Sequence, residues 1–407
     1  MANQAEQSKP VRLAYIGCWY KNDMYSHNCS NLVDSLRGAG MAVDVITSNC
    51  RCFSSAQKFS MAKEELINEQ CSGIAIPHAP RTPGKKHGLL KYWAVKVLRL
   101  DLISAAARGF LYYKRARHAD VIHFDQVLEA FGCIPLFILI SLAARSGKKV
   151  VVTVHEIDPF QLEHKRFNHL YNKCAEVLAY SENMKQQLVA LGASADKIRV
   201  IRYGARIPEL VAADRKQYIY FGGHNISRGK GYAELLDALT ILKGRGLRIP
   251  LVIYVGYGCN GLEEAKQLAV QKNVADMIQW QDFYSADELA NVYQRSKACI
   301  IPFTGGSARH PLTSAMVNGT PVIATRAVDI PEYLGDLGIY VDGSAKSIAD
   351  SIIEIENGGR DLKGLAEKLR AKALKELDYG KIAQDLSGEY SRIGGEQLVN
   401  LEGVATA

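Results

Sequence analysis

The stretch TGGSARHPLTSAMVNGTPVIAT, Thr304 to Thr325, decides how the chain is read. Two glycines and a serine break the backbone, Pro311 predicts a helix start, and Asn318-Gly319 predicts its end. The apolar run Pro321-Val322-Ile323-Ala324 then has strand character. A small-residue loop feeding a helix leaves backbone N–H groups without intrahelical partners, and the helix dipole adds partial positive charge there. An anion suits such a place, and the loop itself carries no acidic residue.

Runs of the same kind recur on either side, with helical patterns between them. VRLAYIG, AVDVITS, DVIHFD, KVVVTVH, EVLAYS and IRVIRYG fill the first half; QYIYFGG, LVIYVGYG, IQWQDF, ACIIPF, TPVIAT and GIYVD fill the second. Apolar strands alternating with helices predict parallel sheets covered on both faces. The pattern restarts after IRYGARIPE, where Gly204 and Pro208 punctuate a linker. The 407 residues exceed one ordinary core and predict two domains of about 200 residues each. Ligands of such sheets bind beyond the carboxyl ends of the strands, and paired domains are expected to hold them in the cleft between.

Composition narrows the class. An apolar content of 48% with 23% charge is that of an ordinary globular protein. No basic and apolar leader opens the sequence, so a cytoplasmic location is expected. The most apolar run, Phe131 to Ala144, falls short of the roughly 18–20 residues that span a bilayer, which predicts a buried helix. Nine cysteines without regular spacing predict reduced thiols rather than a metal site. Residues 1–205 hold 27 Lys and Arg against 17 Asp and Glu, whereas the remainder hold 23 against 25. The excess charge is therefore confined to the first half. Ten Lys or Arg against Asp101 alone fall between Arg81 and Arg117, in a segment with the helical face Leu89, Leu90, Trp93, Val97 and Leu100. A basic, aromatic-bearing helix suits an anionic membrane surface and a lipid carrying a diphosphate; a core helix with snorkelling lysines is the plainer reading. No nucleic-acid-binding module is present, and nucleic acid is not an expected partner.

Several stretches together resemble the retaining glycosyltransferases of family 4. These are AYSENMKQQLVALGASADKIRVIRYG, LVIYVGYG, QWQDFYSADELANVYQRSKACIIPF and NGTPVIATRAVDIPEYLGDLGIYVD, in that order and spacing. The likeness runs from about residue 120 to residue 393. It implies the α/β GT-B fold, two Rossmann-like doubly wound domains facing across a cleft. The expected parts are an acceptor-binding domain over 1–205, a nucleotide-sugar-binding domain over 206–380, and a helix and tail over 381–407 that pack back on the first domain. The implied reaction is transfer of a hexose from a UDP- or GDP-sugar to a lipid-linked or saccharide acceptor with retained anomeric configuration. A non-catalytic GT-B partner of an active transferase is the alternative, and a GT-B epimerase ranks below both. No Asp-x-Asp pair appears, in keeping with the family's metal-independent chemistry, so neither metal nor cofactor is expected.

The leaving group would be a nucleoside diphosphate, so cations and N–H donors are needed where charge develops. FGGHNISRGKGYAELLDAL, from Phe221, has the form strand, glycine-rich turn, helix. The resemblance gives Arg228 and Lys230 the catalytic task of holding the diphosphate, beside Gly222 and Gly223; an ordinary charged turn is the alternative. It gives His155, at the end of KVVVTVH, a contact with the donor sugar. Gly305, Gly306, Ser307, Thr313 and Ser314 fall in the donor loop, with Arg309 or His310 able to add charge. Asp125 closes DVIHFD and is expected to orient the acceptor hydroxyl or cap a helix. Asn31, Lys85, Lys86 and Lys91 complete the expected acceptor side, Asn31 because MYSHNCSN stands where relatives have glycines. One departure is conspicuous. Relatives carry two glutamates in the donor loop, and aligning PLTSAM puts Gly306 and Ser314 at those positions. Glu332 is the expected substitute partner for ribose or sugar.

Overall fold

The computed structural model describes residues 11–17, 26–47, 100–125, 133–157, 170–211, 213–226, 228–281 and 286–395. Lys85, Lys86, Lys91 and most of the predicted basic helix lie outside them. Two compact units are formed. The first takes Met1–Tyr180, Met184–Ile201 and Gly380–Ala407; the second takes Ser181–Asn183 and Arg202–Tyr379.

The first unit carries β1 (Arg12–Gly17), β2 (Ala42–Thr47), β3 (Val121–Asp125), β4 (Lys149–Val154), β5 (Glu176–Ala179) and β6 (Ile198–Val200). They pair in parallel in the order β2-β1-β3-β4-β5-β6. The second unit carries β7 (Gln217–Asn225), β8 (Leu251–Asn260), β9 (Ile278–Gln281), β10 (Ser296–Ile301), β11 (Val322–Ala324) and β12 (Ile339–Tyr340). Their order is β12-β11-β10-β7-β8-β9, again parallel. Each of the twelve strand-like runs quoted from the sequence overlaps one of these strands. In each sheet the chain steps outward and then returns to the other side of its first strand. The switch points, where a crevice opens beyond the carboxyl ends, are therefore β1/β3 and β7/β10.

The helices cover these sheets with one apolar face each. In the helix Tyr232–Gly244, Leu235, Leu236, Leu239 and Leu242 are fully buried at the helical period. The helix Cys133–Arg145 buries Leu136, Leu139, Ile140 and Ala143 in the core of the first unit. It is not buried all round: Phe137, on its other face, is 45% exposed. Among the described residues no helix is long and apolar enough to cross a membrane.

The deciding stretch folds as loop, helix, turn and strand, with one correction. The helix runs Arg309–Val317, so Pro311 is its third residue rather than its first. The first turn tolerates proline there because its N–H groups have no intrahelical acceptor. Asn318 caps the far end and Gly319, at φ 59°, turns the chain into β11. The last helix, Tyr379–Gly394, belongs to the first unit from Gly380 onward.

Candidate functional site

In the first unit, polar side chains gather at the carboxyl ends of β1, β3 and β4. Residues two apart on a strand share a face, so His123 and Asp125 lie together on β3 while Ile122 and Phe124 enter the apolar core. Parallel register sets Tyr15 of β1 beside His123, and Thr153 of β4 beside Asp125. The Tyr15 and His123 rings meet edge to face, with centroids 4.8 Å apart.

Asp125 is 2% exposed, and both its oxygens are engaged. Tyr15 Oη donates to Oδ2 at 2.7 Å, and His155 Nε2 lies 2.7 Å from Oδ1. A buried carboxylate accepting two such bonds is well compensated. It also fixes the His155 ring, with Nε2–H directed to Asp125. Tyr180 closes over that imidazole, its ring edge-on at 5.1 Å and its hydroxyl 3.4 Å from Nε2. His155 keeps 17% of its side chain exposed, enough to meet a ligand.

His123 lies deeper. Its Nε2 bonds Thr153 Oγ1 at 2.7 Å and its Nδ1 bonds Tyr390 Oη, from the last helix, at 2.8 Å. Burial pushes its pKa down to about 4, with Asp125 opposing and His155 adding to the shift. It is thus neutral at pH 7 and serves the network as one donor and one acceptor.

In the second unit, β7 ends at a single 3-10 turn, Arg228–Lys230, and the helix Tyr232–Gly244 follows. Lys230 Nζ donates to the Gly222 carbonyl at 2.8 Å and lies 5.7 Å above the Phe303 ring. The Gly229 carbonyl accepts the N–H groups of Thr304 at 2.9 Å and Gly305 at 3.1 Å. The turn after β7 and the loop after β10 are thereby joined backbone to backbone, with Gly229 and Gly305 in near contact. Gly231 makes the approach possible. Its φ is 65°, and an added Cβ would fall 2.2 Å from the Pro302 carbonyl oxygen.

The remaining expected residues divide. Gly222, Gly223, Lys230, Gly305, Gly306 and Ser307 come together around these two segments, and Arg228 lies on the turn. Asn31 is half-buried on the helix Ser26–Gly38 and Ser314 is half-buried on Arg309–Val317. Thr313 is buried and its hydroxyl is directed to the His310 carbonyl, so it is packed inward rather than presented at the loop. Arg309 is likewise turned inward: its guanidinium pairs with buried Asp329 at 2.8 Å, which neutralises the charge inside the unit. His310 sets its ring edge against Phe221 at 5.1 Å. Both oxygens of Glu332 accept backbone N–H groups, from Glu182 and Asn183, each at 2.8 Å. Its carboxylate thus organises backbone of the second unit, with only remaining lone pairs to offer a ligand.

Tyr15, Thr153, Tyr180, His123 and Tyr390 escaped the sequence reading. A histidine two places before an aspartate in the buried run DVIHFD was the available signal for His123. Tyr390 is 267 residues from its partner and gave none.

Comparisons with known proteins agree with this architecture. Residues 206–375 match the family described as Glycosyl transferases group 1, and residues 29–206 match Glycosyltransferase Family 4. The chain is 24% identical over 168 residues to the MMP alpha-(1->4)-mannosyltransferase of Mycolicibacterium hassiacum, covering 40% of each protein. It is 24% identical over 244 residues to the amylovoran biosynthesis glycosyltransferase AmsK of Erwinia amylovora, covering 55% of this chain and 59% of that one. The chain thus spans 40% and 59% of the lengths of these curated relatives. Among solved structures, a glycosyltransferase from Rickettsia africae superimposes with a TM-score of 0.69 at 16% identity, covering 96% of this chain and 100% of that one. Anabaena HepE, solved in complex with UDP and glucose, gives 0.69 at 16% identity over 94% and 100%. The chain therefore has the GT-B fold, with a Glycosyltransferase Family 4 region over residues 29–206 followed by a Glycosyl transferases group 1 region over residues 206–375.

Proposed function

We propose that the protein is a retaining glycosyltransferase that moves a hexose from a UDP- or GDP-sugar to a lipid-linked or saccharide acceptor in bacterial surface polysaccharide synthesis. The observation that carries this reading is the pair of glycine segments joined at Gly229, with the Lys230 ammonium beside them at the β7/β10 switch point. Closely packed glycines let a diphosphate approach backbone, and a nearby ammonium stabilises charge as the nucleotide leaves. HepE, of the same fold, holds UDP and glucose in its crystals, and AmsK is named for amylovoran biosynthesis.

In this reading Arg228 and Lys230 hold the diphosphate. His155, oriented by Asp125, hydrogen-bonds the transferred sugar, and no metal takes part. The enzyme works at the inner face of the cytoplasmic membrane, drawn there by the basic segment with Lys85, Lys86 and Lys91. Gly306 and Ser314, in place of glutamates, mark a divergent grip on the donor. The same substitution favours a second reading, a non-catalytic GT-B partner that stabilises an active transferase.

A thermal-shift screen of UDP-, GDP-, CMP-, TDP- and ADP-sugars separates the two, followed by transfer assays with the donor that binds and NMR of the product's anomeric configuration. A shift with one donor and an α-linked product from an α-donor are expected. No shift with any donor would leave the partner reading. Flotation with anionic vesicles, lost when Lys85, Lys86, Lys91 and Lys96 are changed to Glu, tests the membrane component.

A further inference from the structure

We infer that the first unit binds a phosphoryl-bearing anion at the amino-terminal end of its sheet, in a pocket of about 290 Å³ lined by Lys148, Lys149, Lys173 and Lys197. The pocket is distinct from the polar network around His155. Lys149 opens β4 and His155 follows its last residue, so the two places lie at opposite ends of one strand, about 20 Å apart at the usual rise per residue.

The lysines come from three separate connections. Lys148 and Lys149 lead into β4, Lys173 precedes β5 and Lys197 precedes β6. Parallel strands bring these entries to one edge. The floor is neutral and closed: Ile140 and Cys174 line it, Cys174 is 1% exposed, and burial pushes the thiol up to about 12, with Lys197 opposing. Among the described residues no carboxylate lines the pocket. Asp120 reaches only the edge, 3.9 Å from Lys148. Asp196, next to Lys197 in sequence, has its carboxylate engaged by the Ser194 hydroxyl. Lys173 rests its ammonium 5.4 Å above the ring of half-exposed Phe137.

Four lysines grouped at one small concavity give it a positive potential, which an entering anion neutralises. A diphosphate or a phospholipid headgroup presents the oxygens that lysines bind as point charges. The volume is near the lower end for small-ligand pockets, roughly 300 Å³. A single phosphoryl or diphosphoryl group suits it better than a whole nucleotide sugar.

Phe137→Trp places a reporter beside Lys173, one of the lining lysines, where an exposed ring tolerates the exchange. Its emission, corrected for the same titration of the parent chain, is followed with sodium diphosphate and separately with phosphatidylglycerol or phosphatidylcholine vesicles, at constant physiological ionic strength. Saturable change with diphosphate supports a free anion. Change with phosphatidylglycerol vesicles alone supports a lipid headgroup. In either case Lys149→Gln combined with Lys173→Gln raises the half-saturating concentration at least about tenfold, the effect of losing one charge-assisted hydrogen bond. Lys346→Gln, in the second unit, leaves it unchanged, and thermal melts establish that all variants fold. No saturable response to diphosphate or phosphatidylglycerol overturns the inference. So does a response that survives the double substitution.

Discussion

His155 Nε2 lies 2.7 Å from Oδ1 of buried Asp125, whose other oxygen accepts the Tyr15 hydroxyl. The carboxylate therefore orients the imidazole, and in the proposed reading it acts on the donor sugar through that ring. Asp125→Asn keeps the shape but offers one acceptor where two donors arrive. Transfer should fall about 10²- to 10³-fold, the range for removing one hydrogen-bond donor to the transition state. Tyr15→Phe leaves the imidazole bond intact and removes one buried partner. It should destabilise the fold by about 1–3 kcal/mol with a smaller loss of rate. Steady-state kinetics beside thermal melts separate the two effects. Equal rate losses in both variants would place Tyr15, not Asp125, in control of the ring.

The ammonium of Lys230 is tied to the Gly222 carbonyl, so it is positioned before any ligand arrives. Lys230→Ala and Arg228→Ala should each reduce turnover by about 10²- to 10³-fold, as removal of one transition-state donor does elsewhere. Lys230→Ala should also destabilise the apoprotein by the worth of a charged hydrogen bond, about 1.5–3 kcal/mol. Stopped assays with the donor identified by thermal shift provide the test. Wild-type turnover in both variants would remove these residues from the reaction.

The strands were legible because parallel strands buried on both faces are nearly continuous apolar runs, VIHFD and KVVVTV among them. The glycine turn after β7 was legible because its punctuation is local. The polar network was not, because Tyr15 and Asp125 are 110 residues apart and Tyr390 and His123 are 267 apart. Only the sheet order and the return of the last helix bring them together. Arg309 misled for a related reason: a basic residue beside a glycine loop suggests an anion, whereas its partner Asp329 comes from beyond the next strand.

Two glycines make opposite predictions. Gly231→Ala places a methyl group against the Pro302 carbonyl in a left-handed backbone, and the second unit should lose about 1–3 kcal/mol or more. Gly244→Ala, with nothing within 4 Å of the new Cβ, should change stability little. Denaturant melts of the pair measure what the close approach of turn and loop requires of Gly231. A neutral Gly231→Ala would remove that requirement.

The donor loop makes a related case. Gly306 has φ 74°, so a glutamate at this position would cost about 1–2 kcal/mol of backbone strain, although open space surrounds it. Ser314 is helical and unstrained. Ser314→Glu should therefore tighten nucleotide binding by about 10- to 100-fold, the worth of one charged hydrogen bond, whereas Gly306→Glu should melt earlier. Calorimetry with free nucleotide decides. Weaker binding by a folded Ser314→Glu would mean that the site has been rebuilt around serine.

Glu176 and Glu389 join β5 to the last helix, with Arg199 and Arg392 paired to Glu389. Burial, and then the neighbouring Glu389 charge, raise the Glu176 pKa from 4.5 to about 7, with Arg199 and Arg392 opposing. The Arg392 hydrogen bond chiefly holds Glu389 below its ordinary value. The signs are opposite. For Glu176 the folded state binds the proton more tightly than the unfolded chain, so its contribution to stability is complete below about pH 4.5 and is lost as pH rises through about 7. For Glu389 the contribution is present above 4.5 and lost as pH falls through its depressed value. Glu176→Gln imitates the protonated acid at every pH. It should match the parent near pH 4.5, flatten the fall in stability between 4.5 and 7, and melt above the parent at pH 8. Tyr390, on the same helix, bonds His123 beside Asp125, so loosening at high pH should reach the polar network as well. Melting curves from pH 4.5 to 8, with hydrogen exchange across Tyr379–Gly394, measure both. Parallel pH profiles for parent and variant would show that Glu176 ionises as freely in the fold as out of it.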